Sequence, residues 1–256
     1  MDDKNVKTES VLVQDEMAKS RSKLEQYSDL IIGRRGWRHL LCYELTVLFC
    51  ATLPGALGLF LRSKLYPRLL GACGRNVVFG ANVVLRHPHK IRIGDNVIID
   101  DNCLLDAKGR DNAGITIGSG VFLGRNSILS CKNGDIVLED RVNIGFNAEV
   151  FSGNRVVIGA DTLVAAYCYF IGGDHASADA GAAINRQGTT ARGITVGPSC
   201  WFGAGVKVLD GLTVGSDCIV GAGAVVTKDI PDYAVAVGLP ARVIRDRRPT
   251  AGSDAE

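Results

Sequence analysis

With 256 residues, 46 % hydrophobic and 22 % charged, the chain carries enough apolar material for one principal domain with extensions, and its composition excludes disorder throughout. A net charge of +2, without a basic stripe interleaved with aromatics, excludes a nucleic-acid binder. The opening residues 1–23 lack an apolar core and a cleavage site, so they do not form a secretory signal peptide, and a cytoplasmic chain is expected.

Residues 1–28 are polar and charged without apolar periodicity and are expected to be a mobile tail. Residues 29–72 change character: an apolar text from Trp37 to Leu70 is flanked by Arg34, Arg35 and Arg38 on one side and Arg62, Lys64 and Arg68 on the other. The uncharged run Leu45 to Leu61 is 17 residues long and is interrupted by Pro54-Gly55, whereas a spanning helix needs about 20 unbroken apolar residues. Two short helices joined at Pro54-Gly55 are predicted. Their apolar faces have two possible uses, covering the open end of the domain that follows or lying at a lipid interface, with peripheral membrane contact through 37–70 in the second case.

From about Val77 a period of six takes over. It is clearest in ITVGPSCWFGAGVKVLDGLTVGSDCIVGAGAVV, where Val196, Phe202, Val208, Val214, Val220 and Val226 recur at that interval. Six is neither the 3.6 of a helix nor simple alternation. Three short flat strands make a coil of about eighteen residues, and coils stacked at roughly 4.8 Å make a triangular parallel β-helix. Each coil needs a bulky residue pointing inward at every strand and a sharp bend at every corner, which Gly, Asn and Asp tolerate best. The predicted fold is therefore all-β, a β-helix of about seven coils over residues 73–245 with an N-terminal helical extension and a disordered tail at 246–256.

Coil starts at Ile93, Ile117, Leu138, Ile158 and Val196 are spaced 24, 21, 20 and 38 residues apart, so the excess over eighteen lies in corner loops. Two are short turns around Gly109 and Gly134. The third, residues 171–193, is a long polar excursion on an otherwise rigid scaffold, the kind of place where chemistry is usually carried. It contains His175, and histidine is the side chain best suited to take a proton from a hydroxyl near neutral pH.

Cys103, Cys168, Cys200 and Cys218 each stand four residues after an inward bulky residue and are expected to be small buried fillers, not disulfides or ligands. His87 and His89, in RHPHK, share a strand face but have no third histidine nearby, so a surface turn is expected and no metal is assigned.

The closing text VGAGAVVTKDIPDYAVAVGLPARVIR, together with the hexapeptides, resembles the hexapeptide-repeat acyltransferases, which include galactoside, maltose, serine and capsule or colanic-acid O-acetyltransferases. The resemblance covers about two-thirds of the chain. It implies a left-handed β-helix and a homotrimer with active sites between subunits. Acetyl-CoA would be the acyl donor, a saccharide or lipid-linked saccharide of surface polysaccharide or glycolipid biosynthesis the acceptor, and no metal is needed. Further readings are an N-acyltransferase on an amino sugar or a non-catalytic scaffold.

Within the resemblance, His175 stands 17 residues after Ile158, as the family's general base does after an Ile-Gly corner, and Asn147 stands 11 before it, at the place of an acceptor-orienting asparagine. Trp201 matches a tryptophan near the acetyl group. The resemblance places the pantetheine arm near Gly203, Gly221 and Ala222, the phosphates near Lys228, Arg242 and Arg245, and the adenine near Pro240. The implied mechanism is direct transfer: His175 takes the acceptor hydroxyl proton, and backbone N–H groups hold the oxyanion. The N-terminal acceptor-binding region of the galactoside branch has no counterpart in residues 1–70.

Overall fold

The computed structural model describes residues 6–9 and 22–248, so the expectation for 246–256 falls mostly outside the described residues, as does most of that for the polar tail. Between Ala72 and Val226 the chain winds as a three-faced parallel β-helix. Face one carries seven strands from Ala72–Cys73 to Thr213–Val214, and face three seven from Val84–Arg86 to Val225–Val226. Face two begins at Val78–Phe79 and has nine, because Ala234–Val237 and the antiparallel strand Arg242–Asp246 close the last coil. Each coil visits the faces in that order.

The six-residue period becomes register. On face one Ile115, Ile136, Val156 and Ile194 stand above one another, each at most 1 % exposed. Burying each such side chain contributes about 1.5–3 kcal/mol, and the inward column repeats this along the prism. The corners use the left-handed region: Asn76, Asn82, Asn96, Asn102, Asn126 and Asn147 have φ between 53° and 61°, and their stacked side chains bond one another, Asn76 Nδ2 donating to Asn96 Oδ1 and Asn82 Nδ2 to Asn102 Oδ1, both at 3.1 Å. All eight cysteines are free thiols. Cys103, Cys168, Cys200 and Cys218 are at most 1 % exposed, and burial raises the thiol pKa of Cys103 to about 11 and of Cys200 to about 12.

Helix α1 is Lys23–Tyr27, α2 is Trp37–Cys50 and α3 is Gly55–Leu65, with Pro54 at the α2–α3 junction. Helices α2 and α3 lie over the first coil. Tyr43 Oη donates to Leu85 O at 2.9 Å and Tyr66 Oη to Val83 O at 3.0 Å. Arg62, expected as part of a basic flank, is instead 1 % exposed. Its guanidinium donates to Phe79 O at 2.9 Å and to Cys50 O and Leu53 O at 2.8 and 2.7 Å. The last two acceptors are carbonyls at and just beyond the C-terminal end of α2, which a buried cation satisfies and whose helix dipole it complements. Gly58 is required beside them, because a Cβ there would stand 1.8 Å from Leu53 O.

The opposite side of the helices is bare: Trp37, Leu48, Phe49, Leu57 and Phe60 are 58–73 % exposed. Among the described residues no helix is long and apolar enough to cross a membrane. His87 and His89 do not form the surface turn expected of them. His87 is buried at φ 49°, with its Nε2 2.8 Å from Asp29 O, because the segment Ser28–Ile32 folds over it. Among the described residues no three His, Cys, Asp or Glu side chains gather where a metal could bind.

Candidate functional site

The excursion begins where the face-three strand Tyr169–Gly172 leaves the prism. Asp174–His175 then pairs antiparallel with Thr189–Ala191, His175 opposite Thr189 and Asp174 opposite Thr190, so the loop departs and returns as a two-stranded ribbon. A third strand comes from the other end of the chain: Lys7–Glu9 pairs antiparallel with Thr189–Ala191. The interior is pinned by Gln187, whose Oε1 accepts from Asp179 N at 3.0 Å and whose Nε2 donates to Asp179 O and Ala182 O at 2.7 and 2.9 Å. Asp210 anchors the return, its two carboxylate oxygens each accepting at 2.8 Å from the backbone N–H groups of Arg192 and Gly193.

Between this ribbon and face three lies a cleft of about 280 Å³. His175 and Asp174 stand at one side, and His175 N–H donates to Asp174 Oδ1 at 2.7 Å. Phe151 and Ile171, neighbours in register on the outward side of face three, form an apolar wall with Tyr169. Thr189 and Thr190 supply hydroxyls and Lys7 and Lys132 supply ammonium groups. Gly153 and Gly173 leave the floor open: a Cβ at Gly153 would meet Ala191 Cβ at 2.8 Å. Tyr169 bonds the side chain of Glu149, its register partner, whose carboxyl pKa is raised by burial against that bond. The tyrosine pKa is likewise raised, first by burial and then by the nearby Glu149 charge. An aromatic wall with a few convergent polar groups is the make-up of a small-molecule site.

The other expected site residues lie elsewhere on the chain. Asn147 has φ 53° at the corner before the face-three strand Glu149–Ser152, its N–H donating to Arg125 O at 3.0 Å, and it does not line the cleft. Trp201 is 50 % exposed on face two, between Leu163 and Ile219. Gly203 and Gly221 lack side chains for a reason internal to the stack: a Cβ on Gly203 would stand 2.5 Å from Ala222 N, and one on Gly221 would stand 2.7 Å from Val237 Cγ1. Lys228, Pro240, Arg242 and Arg245 are exposed around the last coil, Arg242 and Arg245 on the closing strand opposite Val237 and Val235. One chain thus holds its candidate base where face three meets face one, and Trp201, Gly203 and Ala222 on face two and the following corner.

Four cleft residues have no role in the repeat pattern. Phe151 and Tyr169 are outward aromatics on strands whose inward positions the period already fills, a signal present in the text. Lys132 sits in a short corner turn, and Lys7 lies in a three-residue strand without apolar periodicity.

Two stretches match family models: residues 193–228 match the bacterial transferase hexapeptide (six repeats), and residues 73–107 the hexapeptide repeat of succinyl-transferase. The chain is 35 % identical over 136 residues to a Mycobacterium tuberculosis protein named "Probable acetyltransferase Rv3034c", covering 53 % of this chain and 45 % of that relative, so it spans under half of the relative's length. It is 30 % identical over 155 residues to the Escherichia coli K12 "Putative lipopolysaccharide biosynthesis O-acetyl transferase WbbJ", covering 58 % of this chain and 78 % of the relative. Among solved structures it shares its fold with a variant of the Bacillus cereus N-acyltransferase AntD in complex with dTDP and coenzyme A, at 17 % identity and TM-score 0.55, covering 78 % of this chain and 92 % of that one.

Proposed function

Since the chain belongs to the hexapeptide-repeat transferase family, we propose that it is an acetyl-CoA-dependent O-acetyltransferase acting on a saccharide hydroxyl. One observation carries this reading: exposed His175 stands at the edge of a cleft of about 280 Å³, too small for a coenzyme A and near the lower end of ligand pockets, about 300 Å³. The cleft is an acceptor site, and the donor lies outside it. His175 takes the proton of the attacking hydroxyl, the oxygen attacks the thioester carbonyl, and the thiolate of CoA leaves. No enzyme-bound acyl group is required, and the buried repeat cysteines, with thiol pKa values raised by burial, are not candidates to carry one.

Acetyl-CoA as donor is supported by the acetyltransferase names of the relatives and by the coenzyme A held by AntD. The separation of His175 from Trp201 and the closing strand within one chain supports a homotrimer in which donor residues of one copy face the cleft of another, with Asn147 of that neighbouring copy beside the acceptor. Trp201, Gly203, Gly221 and Ala222 line the pantetheine path, and Lys228, Pro240, Arg242 and Arg245 its nucleotide end. The bare apolar side of α2 and α3 supports work at the inner membrane surface: Arg38 lies 5.5 Å from the Trp37 ring and Lys64 5.8 Å from that of Phe60, apolar anchors rimmed by cations.

The test is acetyl transfer from acetyl-CoA to a panel of hexoses and amino sugars by the full chain and by His175→Ala. Loss of transfer to hydroxyls in the variant supports the reading. Full activity in the variant overturns it, and transfer to the amine alone replaces it with N-acylation.

A further inference from the structure

Among the described residues, those lining the cleft beside His175 carry more positive than negative charge, and its two lysines have no carboxylate partner. Lys132 is half-buried at its edge, and among the described residues no group pairs with its ammonium. Lys7 is half-buried and donates from Nζ to a neutral acceptor, Asn133 O, at 2.9 Å. Among the described residues the one carboxylate lining the cleft is Asp174, exposed, with Oδ1 already accepting from the His175 backbone N–H. Two ammonium groups thus face the same space as one partly engaged carboxylate.

Lys7 is present only because the N-terminal strand adds to Thr189–Ala191, opposite the ribbon edge that carries His175. Its register, Lys7 opposite Ala191, seats the side chain over the corner where Lys132 and Asn133 turn. A surface lysine whose only task was solvation would not need a dedicated strand, nor reach across 126 positions to a turn carbonyl. A half-buried ammonium without a counter-charge gains from an anion there, because partial exclusion of water strengthens the attraction well beyond its value in bulk solvent.

We infer that the acceptor is anionic, a sugar bearing a carboxylate or phosphate that Lys132 and Lys7 hold while Phe151 and Tyr169 flank the ring and His175 meets the hydroxyl. This rests on the reading of the cleft as the acceptor site and narrows its substrate class. The two lysines are binding residues and take no part in proton transfer.

Binding without turnover separates this inference from the catalytic one. The full chain, saturated with coenzyme A, is titrated calorimetrically at low ionic strength with glucose, glucuronic acid and glucose 1-phosphate. The expected result is at least tenfold tighter binding of one or both charged sugars than of glucose, and which one it is distinguishes carboxylate from phosphate. Lys132→Met and Lys7→Met each weaken the charged ligand about threefold or more, the double variant brings it level with glucose, and Lys132→Arg retains the preference. His175→Ala keeps the preference while losing acetyl transfer, so failure of the catalytic reading shows separately. Equal affinity for all three, no measurable binding of either anion, or a preference that survives the double lysine variant overturns the inference.

Discussion

Arg62 donates from Nε to Phe79 O at 2.9 Å, joining the helical cap to the first face-two strand through a guanidinium that is 1 % exposed. Its Nη1 satisfies Cys50 O and Leu53 O as well, so one side chain covers three backbone carbonyls. Arg62→Met keeps much of the volume and removes every donor. Leaving such acceptors unpaired costs about 1–3 kcal/mol each before relaxation, and a net loss of about 2–4 kcal/mol is expected. Thermal unfolding followed by circular dichroism should show a fall of roughly 5–15 °C in Tm, and an unchanged melt would show that the cap does not depend on this residue.

His175→Ala should behave in the opposite way. The side chain is exposed, and such substitutions usually change stability by about 0.5 kcal/mol or less. Loss of a general base lowers kcat by about 10²–10⁴. Steady-state kinetics should therefore show the fall in kcat with little change in the KM for acetyl-CoA and a melt like that of the parent.

Trp201→Ala and Gly203→Ala probe the proposed donor side with different signatures. Trp201 is half exposed, so its removal should leave Tm unchanged while weakening coenzyme A, by about tenfold if the ring packs on the pantetheine arm. A Cβ at Gly203 would instead press on Ala222 N and force the last coils apart, so that variant should lose Tm before it loses affinity. Titration of coenzyme A alongside melting distinguishes the two.

His89 sets an acid limit on the fold. Burial, aided by the nearby Arg34 charge, lowers its pKa from 6.5 to about 4. Below pH 6.5 the unfolded chain takes up a proton that the folded chain refuses, so stability falls as pH drops from about 6.5 towards 4 and is unaffected above that window. Because the ring is only partly screened from water, the effect is discounted to about 1 kcal/mol. Tm should fall by roughly 2–4 °C across the window, and His89→Gln should flatten that slope; an equal slope in the variant would assign the acid sensitivity elsewhere.

Leu48→Asp combined with Phe49→Asp tests the bare helix side. The two side chains are 73 % and 62 % exposed, so stability should hold. Co-sedimentation with vesicles of equal parts phosphatidylglycerol and phosphatidylcholine should be present in the parent and absent in the variant. If neither form sediments, the apolar side has another occupant, and a change in oligomeric state between the two would identify a second copy.

The prism was legible because each coil repeats the same physical demand. A bulky inward residue every six positions and an Asn or Gly at the bend leave few other folds, and Val196 through Val226 state this six times. The helix break was legible because Pro54-Gly55 tolerates little else. Arg62 was not, since one cation within a basic flank has no textual mark that distinguishes snorkelling from burial under three carbonyls. Lys7 was hidden for a related reason: a three-residue strand owes its existence to its partner, and Lys-Thr-Glu alone has no period. Phe151 and Tyr169 were recoverable, being outward aromatics where the stack itself asks for nothing.

The ladders run straight across the excursion. Val156 pairs with Ile194 and Tyr169 with Lys207 as though the intervening residues were not inserted. The ribbon that carries His175 is thereby uncoupled from the elements that set the spacing of the coils. Its length and sequence are free to drift under selection without retuning the prism, and residues 173–191 become a segment that can be exchanged between relatives without rebuilding the scaffold.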